Sequence, residues 1–329
     1  MGQDAALRGS WNRWSAGGYR AHTFQEGRVV VLSVTSEPPC RYVPSPPSAL
    51  RLVLLCTALA SSGCSIATGP AMHRVAPPPA HLGARSVTFD SRSGSTIHAW
   101  LADGQHGSGA VLLLHGVGDD RTSMTARAVF LHDCGFTVLL PDFQAHGESR
   151  GEHITFGARE SLDAAAAMDY LRARDPGERV GVIGVSMGGA AALLGDRPLV
   201  ADAFVLESVY PTIRDAVSNR LGTWLGPVGG VARWFTSGAI ALIHLESGVT
   251  EAQLRPIARI GSIHAPLLLI SGTVDPYTAL AEAESLFEHA SAPKVFWAVV
   301  GAGHEDLYAY APREYERRVG SFLVAALRT

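Results

Sequence analysis

The stretch Val180-Gly181-Val182-Ile183-Gly184-Val185-Ser186-Met187-Gly188-Gly189 constrains this chain more than any other. Its first half is a short unbroken apolar run, the pattern of a strand covered on both faces. A serine then stands between glycines where the chain must turn sharply into a helix. Such a turn forces strained backbone angles on the serine and close backbone approach around it, which glycines tolerate because they lack Cβ. The strain lifts the hydroxyl clear of the sheet, and the free N–H groups of the following helix face the place where negative charge would collect. Ser186 is therefore the candidate nucleophile.

Two later apolar runs end in residues that could serve such a serine. Leu267-Leu268-Leu269-Ile270 leads into Ser271-Gly272-Thr273-Val274-Asp275, and Val295-Phe296-Trp297-Ala298-Val299-Val300 leads into Gly301-Ala302-Gly303-His304. Asp275 and His304 thus stand just past the carboxyl ends of strands, on the sheet edge that Ser186 occupies, where open parallel sheets build their sites. Glu207, at the end of the run Ala203-Phe204-Val205-Leu206, is the alternative acid. Glu305 and Asp306 follow His304 too closely to turn back on its ring, and are expected to cap the final helix.

With the order Ser, Asp, His in place, the chain resembles the α/β-hydrolase family, in the branch of small esterases, thioesterases, lysophospholipases and proline-type peptidases. The resemblance runs from about residue 85 to the C-terminus. It includes Leu112-Leu113-Leu114-His115-Gly116-Val117-Gly118-Asp119, a strand running into His-Gly, and Pro141-Asp142-Phe143-Gln144-Ala145-His146-Gly147-Glu148-Ser149, similar to the family turn D-x-x-G-x-G-x-S with Ala145 in place of the first glycine. The resemblance implies a mostly parallel eight-stranded sheet flanked by helices, with a helical cap inserted after the sixth strand. It also implies an oxyanion hole built from the backbone N–H groups of Val117 and Met187. Strands are expected at 87–90, 96–101, 110–114, 137–140, 180–185, 203–206, 267–270 and 295–300. The clearest helix starts at Leu162-Asp163-Ala164-Ala165-Ala166-Ala167-Met168 and is ended by Asp175-Pro176-Gly177. The interval 210–262 is too long for an ordinary connection and is the expected cap, with an extra helical pair packed on the body as the alternative. Its apolar character suits an acyl or aromatic substrate group better than a sugar or a highly charged one.

No cofactor is implied. The histidines lack the i, i+4 pairing with glutamate of a metallopeptidase helix, no cysteine pair has zinc-ligand spacing, and neither a phosphate loop nor a dinucleotide fingerprint occurs. Lys+Arg 27 against Asp+Glu 30 leaves a formal charge of −3, which gives no electrostatic reason to expect nucleic acid. The expected partner is a small acyl substrate, cleaved as a carboxylic ester, with an amide or thioester as the alternative bond; a non-catalytic binding protein on the same fold is the other class.

Upstream of the family region the composition changes. Residues 1–48 show no sustained period and are expected to be disordered or a mis-assigned start. Residues 49–64 place an apolar run behind Arg51 and end in Ser61-Ser62-Gly63-Cys64, which resembles a bacterial lipoprotein signal with Cys64 as the lipidated residue. Residues 65–84, with Pro77-Pro78-Pro79, are the expected linker to an α/β-hydrolase domain at 85–329. This reading puts the enzyme at the cell envelope, anchored to a membrane surface, with a cytoplasmic location as the alternative.

Overall fold

The computed structural model describes residues 68–226, 232–291 and 293–328. Eight strands form the central sheet: β1 (Arg85–Asp90), β2 (Thr96–Ala102), β3 (Ala110–Leu114), β4 (Thr137–Pro141), β5 (Val180–Val185), β6 (Ala203–Glu207), β7 (Leu267–Gly272) and β8 (Lys294–Val299). Their order across the sheet is β1-β2-β4-β3-β5-β6-β7-β8. β2 runs antiparallel to both its neighbours, and the pairs from β4 onward are parallel. This is the α/β-hydrolase fold. The six parallel strands start within one residue of the expected positions.

Strands β3 to β7 are buried at every position but Val185 at the end of β5, as their unbroken apolar runs require. Alternate side chains go to opposite faces. Leu112, Leu114, Phe204, Leu206, Leu267 and Leu269 pack under helices α2 (Glu160–Arg174), α3 (Met187–Leu193) and α6 (Leu280–His289). Val111, Leu113, Val205, Leu268 and Ile270 pack under α1 (Thr125–Asp133) and α8 (Pro312–Leu327). Helix α8 shows why it docks there: its buried residues Tyr315, Val319, Leu323 and Leu327 recur every fourth position and make one apolar stripe. A one-turn helix α7 (Leu307–Tyr310) precedes it.

The interval expected as a cap contains α4 (Ile213–Leu225) and α5 (Ala232–Ser247), followed by three short 3₁₀ turns between Glu251 and Ser262. Thr212 caps α4 by accepting a hydrogen bond from Asp215 N.

The expected linker is corrected in part. From Thr68 onward the chain is packed onto the domain: Thr68, Val75 and Leu82 are buried, and Ala71–Met72 pairs in parallel with His146–Gly147. Pro77-Pro78-Pro79 belongs to this packed segment, so the proline run lies against the body and does not space it from anything. The stretch 1–48 and the signal-like stretch 49–64, including Cys64, lie outside the described residues. Among the described residues, no helix is long and apolar enough to cross a membrane.

Candidate active site

Ser186 sits between the end of β5 and the first residue of α3 with φ 50° and ψ −112°. The turn closes only because its neighbours are bare. A Cβ on Gly188 would stand 2.3 Å from Leu114 O, and one on Gly184 would stand 2.6 Å from the Gly189 Cα. The Ser186 N–H donates to Glu207 O (2.7 Å), which ties the elbow to the end of β6.

Asp275 follows β7 and is held by its own turn. Its Oδ1 accepts the backbone N–H groups of Tyr277 (2.8 Å) and Thr278 (2.9 Å). Its Oδ2 lies 2.8 Å from His304 Nδ1, on the loop after β8. Burial acts to raise the Asp275 carboxyl, but the His304 hydrogen bond and charge and the two turn amides outweigh it and hold the group below the usual carboxylate range. The Tyr277 ring meets the His304 ring edge-on at 5.4 Å.

Ser186 and His304 line one cavity of about 450 Å³, together with Gly116, Val117 and Val185. The three sequence-predicted residues thus converge, and Asp275 is the carboxylate bonded to His304. No hydrogen bond joins Ser186 Oγ to His304 Nε2 among the described residues, a link that in unliganded enzymes often tightens only when substrate is bound. Met187 N opens α3 immediately after Ser186.

The loop carrying Val117 is fixed from below by a residue the sequence reading left without a role. His115 is fully buried, and burial drives its pKa down to about 3. The ring is therefore neutral. Its Nε2 accepts the Phe143 N–H (3.1 Å), so the proton sits on Nδ1 and is donated to Gly116 O (2.7 Å). Asp142 braces the same region, accepting from Arg121 N (2.8 Å), the Arg121 guanidinium and Glu148 N (2.8 Å). Ala145 adopts φ 59°, the left-handed conformation for which the family turn uses glycine.

Glu207, the alternative acid, is bonded elsewhere. Its carboxylate accepts Arg127 Nε (3.1 Å), Arg127 Nη2 (2.7 Å) and Tyr315 Oη (2.6 Å), all buried. Strand alternation explains this: Glu207 shares a face with Ala203 and Val205, the face covered by α1 and α8, where Arg127 and Tyr315 stand. Arg127 reaches on to Asp306 Oδ1 (2.7 Å). Asp306 caps α7 through Tyr308 N, not the final helix as expected, and Glu305 accepts from Gly303 N.

Residues 105–249 match the family described as serine aminopeptidase, S33. An uncharacterized protein of Mycobacterium tuberculosis is 33% identical over 230 residues, covering 68% of this chain and 73% of that protein. The uncharacterized protein YqkD of Bacillus subtilis is 27% identical over 224 residues, covering 65% and 70%. Among solved structures, the Pyrococcus furiosus esterase Pf2001 superposes with a TM-score of 0.65 at 25% identity, over 80% of this chain and 100% of that one. An esterase from Exiguobacterium antarcticum, 15% identical with a TM-score of 0.55 over 73% and 99% of the two chains, shares the fold. The strand order, the serine elbow and these relatives together show that the chain belongs to the α/β-hydrolase family.

Proposed function

We propose that the protein is a serine hydrolase that cleaves a carboxylic ester through an acyl-enzyme on Ser186. The observation that carries this reading is the Asp275–His304 hydrogen bond of 2.8 Å beside a cavity shared by His304 and Ser186. In the reaction, Ser186 Oγ attacks the ester carbonyl as His304 Nε2 takes its proton. Asp275 keeps the Nδ1 proton in place and stabilises the imidazolium that forms. The oxyanion is received by the N–H groups of Val117 and Met187, and collapse expels the alcohol, which leaves with the proton from His304. Water, activated by the same histidine, then releases the acid and restores Ser186.

The esterase neighbours support an ester as the scissile bond. The test is labelling by a fluorophosphonate, which reacts only with an activated serine, followed by turnover of matched ester, thioester and aminoacyl-amide substrates. Labelling of the wild type and not of Ser186→Ala, with esters turned over fastest, is the expected result; an unlabelled wild type defeats the reading, and faster amide cleavage moves the activity to a peptidase.

For location the support is sequence alone. We propose that Cys64 is lipidated, so that the full chain fractionates with membranes and Cys64→Ala releases it. A soluble wild type without lipid mass on Cys64 overturns that proposal and leaves the hydrolase reading untouched.

A further inference from the structure

The cavity that holds Ser186 also holds a guanidinium without a carboxylate. Arg220, on α4, lines the cavity. It donates to Ala216 O one turn back (3.3 Å), and its guanidinium lies 5.1 Å over the Tyr277 ring. The other two arginines buried near the site are each matched by two acids, Arg121 by Asp142 and Glu148, and Arg127 by Glu207 and Asp306. Arg220 forms no ion pair among the described residues. Asp275, whose charge acts on it, is committed to His304 and the turn amides. A half-buried cation with no ion pair is costly, and the cost is recovered when a ligand brings the anion.

A second, independent observation lies on the same wall. Ser208, immediately after β6, lines the cavity, is 4% exposed and adopts φ 47°. Its backbone is fully used, with the N–H donating to Ile270 O (2.9 Å) and the C=O accepting from Thr278 Oγ1 (3.2 Å). Its hydroxyl has no hydrogen-bond partner among the described residues. A buried orphan hydroxyl on a residue held in a strained conformation is uncommon in native structures, and a ligand that accepts its proton would satisfy it. Ser208 is one residue from Glu207, whose carbonyl receives the Ser186 N–H, so the free hydroxyl stands beside the nucleophile elbow.

We infer that Arg220 and Ser208 form an anion subsite, and that the physiological substrate is an ester carrying a carboxylate or phosphate a few bonds from the scissile carbonyl. Tyr277 fixes the spacing: Arg220 stacks on the face of its ring, while the ring packs against His304. The guanidinium is thereby positioned relative to the catalytic histidine by a rigid aromatic group. Of the acids lining the same cavity, Asp306 and Glu305 already hold Arg127 and Gly303 N.

This inference rests on the hydrolase reading for the placement of the scissile bond, and its test separates the two. Wild type, Arg220→Gln, Arg220→Lys and Ser208→Ala are compared on p-nitrophenyl hydrogen glutarate, which is anionic, and on its neutral methyl ester. Their ratio of kcat/KM is the readout. Arg220→Gln should lower that ratio about 10- to 100-fold, chiefly through KM, as loss of a charge-assisted contact does. Arg220→Lys should retain part of the preference, and Ser208→Ala should lower it by a smaller factor. Glutarate and inorganic phosphate, titrated calorimetrically into wild type and Arg220→Gln with folding checked by thermal melting, read the subsite without turnover and distinguish carboxylate from phosphate. Loss of glutarate or phosphate binding in Arg220→Gln supports the subsite even if Ser186 resists fluorophosphonate. A ratio equal in wild type and Arg220→Gln, or no binding of either anion to wild type, overturns it.

Discussion

Replacing Asp275 by asparagine should do more damage than its small change in shape suggests. Asp275 divides its oxygens: Oδ1 accepts two backbone N–H groups of its own turn, and Oδ2 meets His304 Nδ1. An asparagine has one acceptor. Placing its oxygen toward the turn satisfies two amides, and the opposite flip satisfies one histidine while pressing an NH₂ against two N–H donors. The first arrangement wins, and it presents NH₂ to His304 Nδ1. That nitrogen must then accept, the ring proton moves to Nε2, and the nitrogen that should receive the Ser186 proton is blocked. The cost expected for a mis-set tautomer is on the order of 10³- to 10⁴-fold in kcat, about 4–5 kcal/mol of transition-state stabilisation. Steady-state hydrolysis of a p-nitrophenyl ester, with folding checked by circular dichroism, measures it. Asp275→Ala leaves the imidazole free to sample both tautomers, and should therefore have a kcat no lower than Asp275→Asn despite a larger loss of stability. Activity of Asp275→Asn within tenfold of wild type, or well above that of Asp275→Ala, would refute the argument.

Glu207→Gln should leave kcat within a few-fold but destabilise the fold. It breaks a buried ion pair while Arg127 keeps Asp306, for a loss of about 2–3 kcal/mol, read as a fall of roughly 5–10 °C in thermal midpoint; an unchanged midpoint with kcat lost would return Glu207 to the catalytic machinery. Ser186→Gly and Ser186→Ala should both be inactive, yet the glycine variant should be about 1 kcal/mol the more stable, because relief of a φ of 50° exceeds the added chain entropy; denaturant melts showing the reverse order would mean the elbow is unstrained. Asp163 is buried and pushed up to about 7, above its unfolded value of about 4, so the folded protein pays increasingly to ionise it and loses stability as pH rises across that window. Relative to wild type, Asp163→Asn should therefore gain by up to a few kcal/mol between about pH 4 and pH 7; a difference independent of pH counts against the shift.

The elbow and its partners were legible because each is written locally: an unbroken apolar run gives a strand, and the residue that follows it gives the position on the sheet edge. Glu207 stands at such an end too, and strand position alone could not separate it from Asp275. Its side chain turns to the opposite face, and its partners Arg127 and Tyr315 lie 80 and 108 residues away. The two-residue alternation of β6 carries part of that answer, since Glu207 shares the parity of Ala203 and Val205. His115 reads as part of a family motif, but its tautomer depends on Phe143 N, which only the folded chain brings near. Arg220 and Ser208 were not legible at all. What marks them is a missing ion pair on Arg220 and a missing hydrogen bond on the Ser208 hydroxyl among the described residues, properties of the assembled cavity and of no sequence pattern. The segment from Thr68 was read as a spacer from its prolines because the backbone pairing that holds it runs to His146–Gly147, far along the chain.

That segment is a clamp. Ala71 and His73 donate their N–H groups to Ala145 O and Gly147 O, His73 Nε2 lies 2.7 Å from Asp120 Oδ2 just past the Val117 loop, and Thr68 Oγ1 donates to Glu246 on α5 at 2.5 Å. One short strap therefore touches Asp120 just past the Val117 loop, the Asp142 turn and the helical insertion together. A gene trimmed to begin at β1 would encode every strand of the sheet and the whole of Ser186, Asp275 and His304, and would leave the turns beside Val117 and Asp142 without these bonds. Tension applied at the N-terminal end, as by any attachment there, would pass through the strap into the turns beside Val117 and Asp142 before it reached the core.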